Sequence, residues 1–229
     1  MAHASGRGIR VGIVKVLVLV AFVTVLGVAT AQSNWRSVFT EEFGEDAHPL
    51  YVFGGVIRFG PQNDSPFLAR LTGGVLELSN DTDPNTSRYF FIEPQHASQW
   101  LDAGGIAPAA SVTVGGQFGE MPGAGLIYRV DPATHWFYAF LVGTGQTYGL
   151  YLIDGSGFNA VVSDSSDAIM AGQPNRLTIT PEGTVMHLFI NDQHVTSVDD
   201  SRVNGVGVGV MGAGTGAFTF DDFELFVPQ

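Results

Sequence analysis

AGLIYRV (124–130), WFYAFLV (136–142), YGLYLID (148–154), FNAVVS (158–163), RLTIT (176–180), VMHLFIN (185–191), HVTSVDD (194–200), GVGVGVMG (205–212) and AFTFDDFELF (217–226) follow one another through the C-terminal half of the chain. Each run alternates apolar with polar or small residues, is rich in β-branched and aromatic side chains, and stops at a turn cluster such as Asp154-Gly155, Glu182-Gly183 or Asn191-Asp192. Successive side chains of a strand point to opposite faces, so a period of two in short runs broken by turns marks consecutive antiparallel strands. The chain reads as all-β, a two-sheet antiparallel sandwich. No stretch after Ala31 repeats at the helical period.

The N-terminus reads differently. Arg7, Arg10 and Lys15 precede an apolar run from Val16 to Ala29, and Ala29-Thr30-Ala31 supplies the small residues that signal peptidase cleavage requires. Extended back to Val11 the run reaches about twenty residues, enough to span a bilayer if it is never cut. Residues 1–31 are thus a signal peptide or a retained transmembrane anchor, with membrane contact through 11–31 in the second case. With the basic end on the cytoplasmic side, both readings put residues 33–229 outside the cytoplasm as a periplasmic or cell-surface domain.

Composition narrows the chemistry. Removal of residues 1–31 takes away three of the ten cationic residues and none of the 22 acids, leaving seven Arg and a net charge of −15 on 198 residues. That length suits one large sandwich. A surface so acidic repels phosphate backbones and anionic headgroups, so nucleic acid is not an expected partner. Cys is absent, which excludes disulfides, thiolate nucleophiles and thiolate metal sites. Lys15 is the sole lysine, so the domain has no Schiff-base, P-loop or kinase lysine. Gly207-Val-Gly-Val-Met-Gly212 matches the dinucleotide-binding G-x-G-x-x-G, but a further loop and strand follow it where the motif needs a helix N-terminus. It reads as a glycine-alternating strand with Val206, Val208 and Val210 on one face.

The order of several short motifs resembles the concanavalin A-like lectin/glucanase superfamily, in particular its bacterial extracytoplasmic laminin-G-like and 3-keto-disaccharide hydrolase-like branch. They are Gly73-Gly-Val-Leu-Glu-Leu78, Gly123-Ala-Gly-Leu-Ile-Tyr-Arg129, Trp136-Phe-Tyr-Ala-Phe140, Gly172-Gln-Pro-Asn-Arg-Leu177, Leu188-Phe-Ile-Asn-Asp192 and Phe220-Asp-Asp-Phe-Glu-Leu225. The resemblance implies a jelly roll of two sheets, six or seven strands each, with the last strand returning beside the first: Val38–Phe43 near Asp222–Val227.

Candidate site residues follow from side-chain chemistry. Trp136 and Tyr138 share one face of a strand, and with Trp100, Tyr148 and Tyr151 they are the aromatics on which a sugar ring or a protein partner would pack. Arg129, on a strand of a lysine-free domain, is either a forked donor tying the chain together or a ligand contact. A glycosidase needs two carboxyls about 5 to 9.5 Å apart. The Glu-x-Asp-x-x-Glu strand of the glucanase branch is missing here. Asp222 and Glu224 share a face about 6.7 Å apart along the strand, but as part of a terminal edge strand they read as guards against edge pairing. The histidines show no paired ligand spacing, so a transition-metal site is not expected. Calcium, the single cofactor left, would draw on Asp131, Asp199 or Asp200 with loop carbonyls.

Three functional classes remain. The first is a non-catalytic extracytoplasmic interaction module, which, if the N-terminal span is kept, would be a single-span accessory subunit of a membrane protein complex. The second is a module binding a neutral glycan. The third is a sugar-processing, glycoside hydrolase-like enzyme.

Overall fold

The computed structural model describes residues 35–43, 52–58, 67–92, 107–119 and 123–229. The N-terminal segment 1–31 and Trp100 lie outside the described residues. Fifteen strands follow in chain order: β1 (Trp35–Glu41), β2 (Val52–Arg58), β3 (Leu68–Thr72), β4 (Val75–Asn80), β5 (Thr86–Ile92), β6 (Ala109–Phe118), β7 (Gly123–Val130), β8 (Phe137–Val142), β9 (Thr147–Asp154), β10 (Gly157–Ser165), β11 (Asn175–Glu182), β12 (Val185–Ile190), β13 (Gln193–Asp199), β14 (Gly207–Ala213) and β15 (Gly216–Pro228). Each of the nine alternating runs has become a strand, β7 to β15. Asn191 and Asp192, with φ of 49° and 63°, make the left-handed tip between β12 and β13, a conformation their short polar side chains tolerate.

The strands form two antiparallel sheets. One has the order β13-β12-β11-β6-β15-β4-β3, with β1 added beside β15; the other runs β10-β9-β8-β7-β14-β5-β2. The expected return of the last strand to the first is present, Trp35 to Glu41 pairing with Pro228 to Phe223. The terminal strand is nevertheless not an edge. β15 bonds β6 along nearly its whole length, while its first half also pairs with β4 and its second half with β1. What permits the change of neighbour is a bulge: Asp221 faces Thr113 and Glu224 faces Ser111, so Asp222 and Phe223 share one partner position, and Asp222 takes φ 47°. A bulge bends a strand and reverses its inside–outside phase. Phe218 and Phe220 before it, and Phe223 and Leu225 after it, therefore all reach the same core.

That core lies between the sheets. Leu78, Val112, Leu177, Leu188 and Phe220 from one sheet meet Leu126, Tyr138, Phe140, Leu150 and Val210 from the other, each side chain of this size adding roughly 1.5–3 kcal/mol on burial. The seven-stranded sheet is buried on its other face as well. Phe137, Ala139 and Leu141 of β8 alternate with Tyr138, Phe140 and Val142, and belong to a second cluster with Tyr89, Phe91, Ile127 and Met211. Both faces of the run from Phe137 to Val142 are thus core. The glycine-alternating strand is β14. Val208 and Val210 point into the first core, while a Cβ on Gly209 would sit 1.9 Å from the Phe90 carbonyl oxygen of β5. Glycine is there because the neighbouring backbone leaves no room for a side chain.

Candidate functional site

The eight-stranded sheet has one face in the core and one outside. Parity assigns the residues of the non-core side: Ser111 and Thr113 of β6 against inward Val112 and Val114, Arg176, Thr178 and Thr180 of β11 against Leu177 and Ile179, His187 and Phe189 of β12 against Met186 and Leu188; of these Ser111 and Thr178 are themselves buried, 0 % and 8 % exposed. Strand pairing places several of them in one line across the sheet. His194 is opposite Phe189, Phe189 opposite Thr178, Thr178 opposite Ser111, and Ser111 opposite Glu224. Four interstrand steps make this row about 19 Å long.

Charge sits at the β15 end of the row. Arg176 Nη2 lies 3.1 Å from Glu224 Oε2 and donates to Ser111 Oγ at 2.8 Å. Beside it Thr113 Oγ1 donates to Asp222 Oδ2 at 3.3 Å. The structure therefore brings Asp222 and Glu224 to one face, but each is held by a partner from another strand. An aromatic patch sits at the opposite end. Phe189 and His194 meet edge to face with ring centroids 5.3 Å apart, and the His187 ring is 6.1 Å from that of His194.

The other candidates are dispersed. Arg129 is buried in a left-handed conformation, φ 55°, and its guanidinium donates to the carbonyls of Gly183 (2.7 Å), Thr184 (3.1 Å) and Asp200 (3.1 Å), fastening the β11–β12 turn and the end of β13 to β7. Trp136 is 39 % exposed just before β8. Tyr138 is fully buried; desolvation, with the Asp200 carboxylate as its hydrogen-bond partner, pushes its hydroxyl up to about 12. Tyr148 is buried edge to face against Phe140, and its hydroxyl reaches the Val195 carbonyl at 3.5 Å. Tyr151 packs on Phe158 at the margin of the second cluster. These aromatics do not converge on one exposed platform.

The acids proposed for calcium are likewise engaged one by one. Asp131 accepts from the Ala133 N–H and the Thr134 hydroxyl, and the first of these contacts leads in holding its carboxyl below the usual range. Asp199 accepts from Thr184 Oγ1. Burial opposes ionisation of Asp200, yet hydrogen bonds from Arg202 and Tyr138 hold it down to about 2. Among the described residues no group of three or more His, Asp or Glu side chains is placed to hold a metal ion.

Arg176, Ser111, Phe189, His187 and His194 were not singled out by spacing. They stand on four strands, β6, β11, β12 and β13, and only the pairing register joins them.

No protein-family model and no curated protein sequence matches the chain. Solved structures do. A carbohydrate-binding module, CBM66 from Bacillus subtilis, superposes with a TM-score of 0.51 at 14 % identity, over 69 % of this chain and 88 % of its own. A Bacillus subtilis protein of unknown function with a galectin-like fold gives 0.56 at 12 % identity, over 84 % and 97 %. The catalytic domain of an endo-1,3-β-glucanase (laminarinase) from Thermotoga petrophila gives 0.54 at 10 % identity, over 86 % and 99 %. At such identities the likeness is one of fold, and function rests on each protein's own site. The chain has the concanavalin-like lectin/glucanase fold, a two-sheet jelly-roll sandwich.

Proposed function

We propose that the protein is a non-catalytic extracytoplasmic interaction module that binds a neutral glycan across the outer face of its eight-stranded sheet. The observation that carries this reading is the cross-strand row from Phe189 to Glu224, which has a part-exposed apolar ring at one end and the part-exposed Arg176–Glu224 guanidinium–carboxylate pair at the other, joined across the buried Thr178 and Ser111. A sugar presents an apolar C–H face and a rim of hydroxyls, and is matched by a ring beside such donors and acceptors. From Phe189 to Glu224 the row takes three interstrand steps, about 14 Å, which leaves room for more than one sugar unit. Neutral ligands suit a domain of net charge −15 better than anionic ones. Hydrolysis is the less favoured activity, because Glu224, one of the candidate carboxylate pair, is ion-paired to Arg176 rather than free to donate a proton. The apolar run preceding the domain supports export, and retention of that run would tether the module to the membrane.

The test is affinity electrophoresis of the full-length chain in mild detergent through gels containing β-1,3-glucan and other neutral polysaccharides. Retardation that is lost in Phe189→Ala and Arg176→Ala, with no release of reducing ends, is expected. Unretarded migration in every polysaccharide, together with co-migration of the native chain in a larger membrane assembly, rejects the glycan and leaves an accessory subunit. Release of reducing ends that stops in Glu224→Gln rejects the non-catalytic reading.

A further inference from the structure

The β12–β13 hairpin contains a second irregularity, and it assembles a set of side chains that the glycan row does not use. Leu188 pairs with Thr196 but Phe189 pairs with His194, so Val195 is an inserted residue in β13. Residues three apart on a regular strand face opposite sides. The inserted residue cancels that, and His194 and Ser197 come to the same outer face, with His194 Nε2 2.8 Å from Ser197 Oγ. His187, directly opposite Ser197 on β12, approaches the same oxygen with Nδ1, also at 2.8 Å. Two imidazole nitrogens from different strands therefore point at one spot.

The protonation of one ring is already assigned by its neighbour. His187 Nε2 lies 3.1 Å from Glu182 Oε2. A carboxylate only accepts hydrogen bonds, so Nε2 carries a proton and, in the neutral ring, Nδ1 turns its lone pair toward Ser197. A carboxylate bonded to the far nitrogen of an imidazole is the arrangement that orients histidine ligands and raises their basicity at metal centres.

We infer that His187 and His194 form a two-imidazole site for a divalent ion of the zinc, nickel and copper class, held in register by the Val195 insertion and by the Glu182 contact. Imidazole nitrogen suits these ions, whereas calcium and magnesium take oxygen ligands. Binding needs the Ser197 hydroxyl to rotate aside and each nitrogen to draw in from 2.8 Å to about 2.0–2.1 Å. Rotation of one hydroxyl and movement of two half-exposed or exposed rings supply that. Water completes the coordination. The acidic surface of the domain raises the local concentration of any cation. This inference is independent of the glycan reading, since neither Arg176 nor Glu224 takes part.

Calorimetric titration of the untagged full-length chain in mild detergent with Ni2+ tests it. A bound equivalent that disappears in both His187→Gln and His194→Gln, persists in Ser197→Ala and weakens about tenfold to hundredfold in Glu182→Gln is expected. Excess Ca2+ should leave the isotherm unchanged. All four positions are at least partly exposed, so the variants fold, which circular dichroism verifies. Binding that survives in either histidine variant, that Ca2+ displaces, or that is absent from the wild-type chain up to millimolar Ni2+ overturns the assignment.

Discussion

Two buried polar residues show how single side chains hold this fold without disulfides or lysines. Arg129 satisfies three backbone carbonyls from a strained position inside the domain. Its loss removes three charge-assisted hydrogen bonds that fasten the β11–β12 turn and the end of β13, so Arg129→Ala is expected to cost about 1.5–3 kcal/mol in urea denaturation. Arg129→Lys should recover little of it, because one ammonium does not reproduce the planar fork. Asp200 contributes in a pH-dependent way. Its folded carboxyl titrates at about 2, below the unfolded value near 3.9. The contribution is therefore complete above about pH 4 and disappears as pH falls through the folded value. Asp200→Asn should lower the melting temperature at pH 6, and the gap to the wild-type chain should close as the pH approaches 2.

At the level of elements, irregularities decide more than regular strands do. The phase slip in Phe218-x-Phe220 followed by Phe223-x-Leu225 is visible in the sequence, and it marks the bulge that lets β15 serve β4 and β1 in turn. The bulge at Val195 leaves no such trace, because Val195, Thr196 and Val198 read as an ordinary apolar-leaning run. This is why His187, His194 and Ser197 were not recognised as neighbours, whereas the common face of Asp222 and Glu224 was read directly. The position of β15 was not: a strand at the end of the chain is an edge only if nothing is inserted beside it, and β1 and β4 are. Close packing between elements gives a further prediction. A methyl group at Gly209 collides with the β5 backbone rather than with a movable side chain, so Gly209→Ala should destabilise by about 3 kcal/mol, measured as a lower urea midpoint with an unchanged slope.

For the whole molecule, the pairing of the first described strand with the last has a kinetic consequence. β1 and β15 pair across nearly the whole described chain, Trp35 with Pro228, and sandwiches dominated by such distant contacts fold in milliseconds to seconds. Stopped-flow refolding of the domain is expected in that range or slower, with β-rich circular dichroism and less than about 15 % helix in a chain beginning at Gln32. The nine strands from β7 to β15, their approximate limits and the sandwich class were determined by the sequence alone, because alternation is a local property that each run carries by itself. The exclusion of thiol and lysine chemistry was likewise determined by composition. Only the tertiary structure decided that the run from Phe137 to Val142 is buried on both faces, that Arg129 is committed to carbonyls, and that Arg176 meets Glu224 while His187 meets His194. Those relations depend on which strands become neighbours and where one residue is inserted in a ladder, and a shift of one residue turns every later side chain to the opposite face.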